Sequence, residues 1–279
     1  MVLQARFKKV IYRSLTLVAT LMLGGICQAD NFTVGVVPQF DARTLQQTWL
    51  PILKELNQRT GHNFILRGSQ SIPIFDQQLM AGEFDFAYIN PYQLLKTSRI
   101  NGYIPLVRDA ASELHGILTV RKDSPYQQVE QLRGQTFAFP SPNALGASLM
   151  LRAALTHEFK IPFQPRYVNS HDSVYLNVVL GSVAAGGGVT GTLIQQPPAI
   201  RDQLRVIYTT SAVVPHPLTA HPRVAKTVRD AVQKALLTLG QSAAGRQLLE
   251  RVPIKTIGPA YFAEYAVMEK LHLDEFYEE

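Results

Sequence analysis

Strand-like and helix-like segments alternate along almost the whole chain, and this alternation limits the fold to α/β architectures. Apolar β-type runs such as "FTVGVV" (32–37) and "FDFAYI" (84–89) are separated by stretches with apolar residues at helical spacing, as in Leu45, Trp49 and Leu53. This spacing predicts right-handed βαβ crossovers and mixed sheets in which most strand pairs are parallel.

A second series of alternating strands and helices begins in the middle of the chain, which predicts two lobes. We expect residues 30–112 and 208–279 to form lobe 1 and the inserted residues 113–207 to form lobe 2. A hinge is expected where the chain crosses between the lobes, near 110–115 and 205–212.

The first 29 residues have the pattern of a secretory signal peptide. An apolar run (Ser14 to Ile26) follows a basic start, and the small residue Ala29 offers a cleavage site. We expect cleavage after Ala29 and export of residues 30–279. Lipid attachment to Cys27 is the alternative, which is disfavoured because Ile26 stands where a small residue is expected.

Composition excludes several function classes. Of 27 Lys and Arg residues, four lie in the predicted signal peptide, whereas all 21 Asp and Glu residues lie beyond it, so the exported chain has a net charge of about +2. No basic block with interleaved aromatic residues remains, which excludes nucleic acid as a partner. The only cysteine, Cys27, lies in the signal peptide, so the exported chain has no disulfide and no thiolate ligand.

Motifs of catalysis are absent as well. The chain has no G-x-S-x-G elbow, no phosphate-binding P-loop and no H-E-x-x-H pair, and its seven histidines are dispersed. We therefore expect neither an enzyme nor a cofactor or metal site.

The stretch "FAFPSPNALGASLMLRAAL" (137–155) predicts a strand that leads into a helix through small residues. A helix N-terminus carries unpaired N–H groups and about half a positive charge, so it can bind an anion. A plain turn with capping side chains is the alternative. The candidate ligand-binding residues here are Ser141, Asn143, Leu145, Gly146, Ala147 and Ser148.

A second candidate is "FAYINPY" (86–92), at the end of a predicted strand. Ligands of open α/β sheets bind outside the carboxyl ends of the strands, which makes Tyr88, Asn90 and Tyr92 candidates. Alternatively, Tyr88 is a core ring and Pro91 only begins a helix.

Two further motifs complete the candidate set. In "NSHDS" (169–173), His171 is a candidate donor to an oxyanion, and a structural histidine satisfied by the backbone is the alternative. Ser170 and Ser173 could contact the ligand, although Ser170 is also a candidate helix cap. In "AAGGGVTG" (184–191), consecutive glycines allow close backbone approach, and Thr190 follows them.

Three of these stretches, 82–95, 132–149 and 168–189, together resemble the periplasmic phosphonate-, phosphite- and phosphate-binding proteins of ABC transporters, and the resemblance extends over about residues 32 to 260. It implies a type II periplasmic-binding fold, in which two lobes close on a ligand without catalysis. It also implies a periplasmic location, a transporter permease as partner, a cleft tyrosine in "FAYINPY" and a cleft histidine at His171. We expect a monomer.

The chain departs from this resemblance in two places. Relatives carry a Ser-Thr-Ser run at the helix start where this chain has Ala144, Leu145 and Gly146. Relatives often have an acidic residue after the glycine-rich strand, where this chain has Thr190. A buried ammonium group without a counter-charge is costly, so we expect phosphate, phosphite or a small phosphonate with a neutral substituent rather than an aminoalkyl phosphonate.

Two alternatives keep the fold and change the role. The chain could present its ligand to a membrane sensor kinase instead of a permease, or its cleft could bind a different small organic solute.

Overall fold

The computed structural model describes residues 29–278. The predicted signal peptide, including Cys27, lies outside the described residues apart from Ala29. Within the described range, no helix combines the length and apolar character needed to cross a bilayer.

The first of two sheets contains six strands. They are β1 (Asn31–Val36), β2 (Asn63–Arg67), β3 (Phe86–Tyr88), β4 (Ile104–Asp109), β10 (Leu218–Ala220) and β11 (Ile257–Pro259). Their spatial order is β11-β4-β10-β3-β1-β2. β1 pairs in parallel with β2 and β3, whereas β10 is antiparallel to both of its neighbours. This sheet therefore joins segments from both ends of the chain.

The second sheet contains the five strands from the middle of the chain. They are β5 (Gly116–Arg121), β6 (Thr136–Phe139), β7 (Gln164–Tyr167), β8 (Ala185–Val189) and β9 (Leu204–Thr209). Their order is β7-β6-β8-β5-β9, with β6 parallel to both neighbours and β5 antiparallel to both.

Helices connect the strands of both sheets. They are α1 (Ala42–Thr60), α2 (Ile72–Met80), α3 (Pro91–Ile100), α4 (145–158), α5 (His171–Val179), α6 (Thr190–Ile194), α7 (Pro198–Arg201), α8 (Lys226–Leu239), α9 (Ala243–Leu249) and α10 (Phe262–Ala266). α4 is α-helical in its middle and has π-type turns at both ends. The boundaries follow local chemistry: Asp41 caps α1 by accepting from two backbone N–H groups, and α1 ends at Gly61, whose φ is 76°.

The fold class predicted from the sequence is confirmed: the chain is α/β, with two mixed sheets in a two-lobed arrangement. The share of parallel pairs is smaller than the strand spacing predicts, because four of the nine strand pairs in the described range are parallel. The antiparallel pairs all involve β5, β10 or β11. β5 and β10 directly follow the two passages of the chain from one sheet to the other.

The C-terminal residues 274–278 contact elements on both sides of the molecule. Asp274 Oδ1 accepts from Tyr92 Oη on α3 at 2.8 Å and pairs with Lys96 on the same helix. Four residues further on, Glu278 is hydrogen-bonded through its backbone to the side chain of Asn143, which precedes α4. The segment therefore ties the first sheet's helix α3 to the second sheet's turn before α4.

Candidate functional site

A small cavity lies between the two sheets, at the ends of the strands. Its volume is about 20 Å³, measured as the space open to the centre of a water-sized sphere, which is slightly more than one water molecule needs. Its wall is formed by Val37, Gln39, Ile72, Asn90 and His216 from the first sheet's side and by Ala144, Leu145, Gly146, Ala147, His171 and Val189 from the second. Both lobes therefore contribute to one compact site.

The start of α4 presents unpaired backbone donors to this cavity. Ser148 and Leu149 donate the first helical hydrogen bonds, both to Ala144 O, at 2.8 and 3.1 Å. The N–H groups of Leu145, Gly146 and Ala147 therefore have no acceptor among the described residues, and all three residues line the cavity. Consecutive free N–H groups of this kind fit an anion.

The position of this turn depends on a glycine in β5. A Cβ atom added to Gly116 would lie 2.1 Å from Gly146 O, far inside any normal contact. The backbone of the α4 turn therefore packs directly on the backbone of β5, with no side chain between them.

Three helix N-termini meet at the cavity. Asn90 is the N-cap of α3, α4 begins at Leu145, and His171 is the first residue of α5. Each helix start contributes about half a positive charge. No lysine, arginine, aspartate or glutamate lines the cavity in the described part of the chain, so backbone dipoles supply its positive potential.

Asn90 lines the cavity and is also the N-cap of α3. Its side chain accepts from Gln93 N at 2.8 Å, and Gln93 Oε1 accepts from Asn90 N at 2.7 Å, which forms a capping box. Its Nδ2 donates to Asn143 O at 3.3 Å, so the cap also joins the two sides of the cavity.

His171 is buried on the cavity wall. Its Nδ1 lies 3.1 Å from Thr192 Oγ1, and its Nε2 makes no hydrogen bond within the described range. Burial, with a smaller contribution from nearby His216, lowers the pKa of His171 to about 3. The imidazole is therefore neutral at physiological pH.

His216 and Gln39 were missed as candidates by the sequence analysis. His216 Nε2 lies 3.4 Å from Gln39 Nε2, and burial lowers the pKa of His216 to about 4. Gln39 closely follows β1, so the strand-end rule that selected Asn90 could have selected it too. His216 precedes the three-residue strand β10, for which the sequence gives no clear signal.

The predicted tyrosines lie away from the cavity wall. The Tyr88 ring is buried between Trp49 and His216, with ring centroids 5.0 and 5.6 Å away. Burial raises the pKa of the Tyr88 hydroxyl well above its usual range. Tyr92 is turned toward Asp274. Tyr88 therefore packs against the His216 ring without lining the cavity itself.

The predicted polar residues before and within α4 are buried, but they are not among the residues that line the cavity. Ser141 and Ser148 are buried, and their hydroxyls make no hydrogen bond among the described residues. Asn143 Nδ2 donates to Glu278 O at 2.7 Å and lies 3.4 Å from Asp76 Oδ2. Burial raises the pKa of Asp76 to about 6. Because its side chain contacts both Glu278 and Asp76, Asn143 holds the turn before α4 in place.

Ser170, Ser173 and Thr190 do not line the cavity either. Ser170 caps α5 by accepting from Ser173 N at 3.1 Å. Thr190 is exposed, and its neighbour Val189 takes the place on the wall. The structure thus brings five of the predicted residues together around the cavity: Asn90, Leu145, Gly146, Ala147 and His171.

Two α/β lobes with a compact site at their strand ends define the class of this chain, the type II periplasmic-binding proteins. Residues 34–265 match the family described as "ABC transporter, phosphonate, periplasmic substrate-binding protein", and the chain belongs to that family. It is a family of transporter substrate-binding proteins rather than of enzymes. Comparison with curated proteins finds no match.

Solved structures show the same fold at low identity. A binding protein component of an ABC phosphonate transporter from Pseudomonas aeruginosa is 16% identical, with a TM-score of 0.78 over 88% of this chain and 86% of that one. PhnD1 from Prochlorococcus marinus, in complex with methylphosphonate, is 16% identical, with a TM-score of 0.76 over 86% of this chain and 96% of that one. A Xanthomonas citri protein bound to ATP is 15% identical, with a TM-score of 0.70 over 89% and 99%.

Proposed function

We propose that this substrate-binding protein captures phosphate, phosphite or a small phosphonate with a neutral substituent in the cavity between its lobes and delivers it to an ABC transporter. The observation that carries the proposal is the row of unpaired N–H groups at Leu145, Gly146 and Ala147 on the cavity wall. These donors remain although the relatives' Ser-Thr-Ser hydroxyls are absent from this chain. Each missing hydroxyl removes roughly 1 kcal/mol of hydrogen bonding.

The composition of the wall favours a ligand without an ammonium group. No carboxylate lines the cavity within residues 29–278, so a buried ammonium would have no counter-charge, which is costly. Asp76 is buried near Asn143 and already contacts that side chain and Gln93. The small volume favours a compact ligand, such as the methylphosphonate bound by PhnD1 from Prochlorococcus marinus.

The proposed capture includes closure of the lobes about a hinge. Because β9 ends at Thr209 in the second sheet, we assign residues 30–112 and 210–279 to lobe 1 and residues 113–209 to lobe 2, which moves the predicted boundary at 207/208 to the end of β9. A short bridge between Leu114 and Val213, with N···O distances of 2.8 and 3.0 Å, ties the two crossing segments together. Rotation about such paired segments would open the cavity without breaking either sheet.

Backbone NMR of residues 30–279 tests the proposal at its central contact. Methylphosphonate is added to ¹⁵N-labelled protein while the amide resonances of Leu145, Gly146 and Ala147 are followed. Hydrogen bonds to an oxyanion should shift all three amide resonances downfield in a saturable way, whereas the amide of exposed Gly61, at the C-terminus of α1, serves as the control and should not move. Saturable binding that leaves the three α4 amides unchanged would refute this site.

A further inference from the structure

Behind His171, a group of hydroxyls restricts where its ring proton can be. Thr192 Oγ1 lies 2.8 Å from Tyr175 Oη, 3.0 Å from Val189 O and 3.1 Å from His171 Nδ1. Tyr175 Oη also lies 3.2 Å from Val189 O. Tyr175, Thr192 and His171 are all buried, so no bulk water competes for these contacts.

Counting protons distinguishes the two neutral tautomers of His171. A threonine hydroxyl donates one hydrogen bond and accepts two, and a carbonyl oxygen only accepts. If Thr192 donates to Val189 O, then Tyr175 Oη and His171 Nδ1–H can both donate to Thr192 Oγ1, and its three contacts are all hydrogen bonds. If Nδ1 carries no proton, the two hydroxyl protons can make only two hydrogen bonds. The network therefore favours the Nδ1–H tautomer by one hydrogen bond.

This tautomer determines what His171 offers to a ligand. With the proton on Nδ1, Nε2 carries a lone pair, and Nε2 makes no hydrogen bond within the described range. The titratable groups near the His171 ring are His216, in the loop before β10, and Asp172 and Tyr175, on the same helix as His171. Asp76 on α2 is hydrogen-bonded to Asn143 in the turn before α4. Asp172 already accepts from Gln196 Nε2 at 2.6 Å. Nε2 is therefore a hydrogen-bond acceptor beside a row of N–H donors.

We propose that Thr192 positions His171 as an acceptor, so that the site binds its phosphorus oxyanion in a protonated form, with the P–OH group donating to His171 Nε2 and the other oxygens accepting from the α4 amides. This inference rests on the proposed function and narrows its ligand class. A dianion without a hydroxyl proton must instead shift the histidine proton to Nε2, which costs the network one hydrogen bond. Sulfate is tetrahedral but carries no proton at neutral pH. It is therefore disfavoured as well, because it has no proton to donate to His171 Nε2.

The test combines two measurements on residues 30–279. Long-range ¹H–¹⁵N spectra of histidine-labelled, ligand-free protein report the tautomer of His171, whose signals are assigned from their loss in His171→Gln. Calorimetry then gives the affinity for methylphosphonate between pH 5.5 and 9, with sulfate as the probe that lacks a proton. Thr192→Val removes the hydroxyl at nearly constant shape, and Thr192→Ser keeps it.

We expect the Nδ1–H tautomer, and an affinity that falls as methylphosphonate loses its second proton. In Thr192→Val the preference for the protonated ligand should shrink about fivefold, the equivalent of one neutral hydrogen bond of about 1 kcal/mol. Thr192→Ser, which keeps the hydroxyl, should show the same His171 tautomer and the same pH profile as the unmodified protein. A purely structural role of Thr192 would not link the tautomer and the pH profile to the hydroxyl.

The opposing outcomes separate this inference from the proposed function. An Nε2–H tautomer in the ligand-free protein, or methylphosphonate binding that is unchanged or tighter at high pH, overturns the inference while the proposed function stands. No binding of methylphosphonate at any pH overturns the proposed function and the ligand assignment with it.

Discussion

At the scale of single residues, the proposed site would rely on neutral groups to attract an anion. His171 and His216 are both buried with lowered pKa values, and no charged side chain lines the cavity in the described part of the chain. Neutral groups around a compact cavity discriminate between ligands by hydrogen-bond geometry rather than by net charge. Hydrogen bonds to a charged partner contribute about 1.5 to 3 kcal/mol each, so a few suffice for tight binding.

Two substitutions of His171 distinguish the roles of its two ring nitrogens. Asparagine keeps a polar atom near the Nδ1 position, beside Thr192, but removes Nε2, whereas glutamine reaches the Nε2 position and loses the Thr192 contact. We expect His171→Asn to weaken methylphosphonate binding about 10- to 100-fold, as loss of a hydrogen bond to a charged group requires, with little change in the ligand-free melting temperature. His171→Gln should retain more affinity and lose more stability. Equal effects of both variants on affinity and melting would assign His171 a structural role.

The cavity residues that the sequence could predict are those whose surroundings are local. Asn90 ends a strand and caps a helix, and His171 starts a helix, so both are recognisable from a few neighbours in the chain. His216 reaches the cavity only because β10 pairs with β3, more than 120 residues earlier in the chain. Which polar groups face the cavity and which lie behind it, as Asn143 does, depends on packing that no local pattern contains.

At the scale of secondary-structure elements, α4 and β5 form the rigid part of the site. The α4 turn contacts β5 backbone to backbone, and its first residues belong to the same buried cluster as the core of the first sheet. Tight packing of this kind fixes the direction of the free N–H groups before a ligand arrives, which lowers the entropic cost of binding.

Gly116→Ala tests this contact. Its Cβ would overlap Gly146 O, so we expect the α4 turn to shift, with about 1–3 kcal/mol lost from the free energy of unfolding and weaker methylphosphonate binding. Urea unfolding and calorimetry measure the two effects. Gly68→Ala is the matched control, because nothing lies within 4 Å of its added Cβ. A Gly116→Ala protein as stable as the Gly68→Ala control would contradict the proposed packing.

The sequence predicts elements that have strong periodicity or a clear apolar run, and it does not predict strands that lack such a run. The long helix α1 and the strands β1 and β3 follow directly from apolar spacing. The segment "SPYQQVEQLRG" (124–134) has a serine cap, a proline at its start and a glycine at its end, which together predict a short helix, but it forms only a 3₁₀ turn at Val129–Leu132. Strands β10 and β11 have three residues each, as β3 does, but unlike β3 they lie in no longer apolar run, and they form because the first sheet offers them hydrogen-bonding partners.

At the scale of the whole molecule, residues 274–278 connect the two sides of the cavity, in addition to the two crossings of the chain and the Asn90–Asn143 hydrogen bond. Asp274 binds α3, and the backbone of Glu278 binds Asn143. Glu278 Oε1 also accepts from Tyr167 Oη at 2.9 Å, at the end of β7. Contacts of this kind would favour the closed arrangement in the proposed closure of the lobes.

Deletion of residues 274–279 should therefore make opening easier. We expect a larger radius of gyration for the ligand-free protein in small-angle X-ray scattering, and weaker methylphosphonate binding because closure gains less stabilisation. Far-UV circular dichroism controls for retention of the fold. Scattering identical to that of the full chain would show that these contacts do not influence the lobe arrangement.

The central claim, that the cavity captures a phosphate-like oxyanion, is tested most directly by melting residues 30–279 with phosphate, phosphite, methylphosphonate, aminoethylphosphonate and sulfate. A ligand at 100 times its dissociation constant stabilises the folded protein by about 2.7 kcal/mol, which shifts the melt visibly. The account predicts a shift with at least one of the first three ligands and a smaller shift, or none, with aminoethylphosphonate and sulfate. The largest shift with aminoethylphosphonate, or no shift with any of the five in protein freed of carried-over ligand, would contradict it.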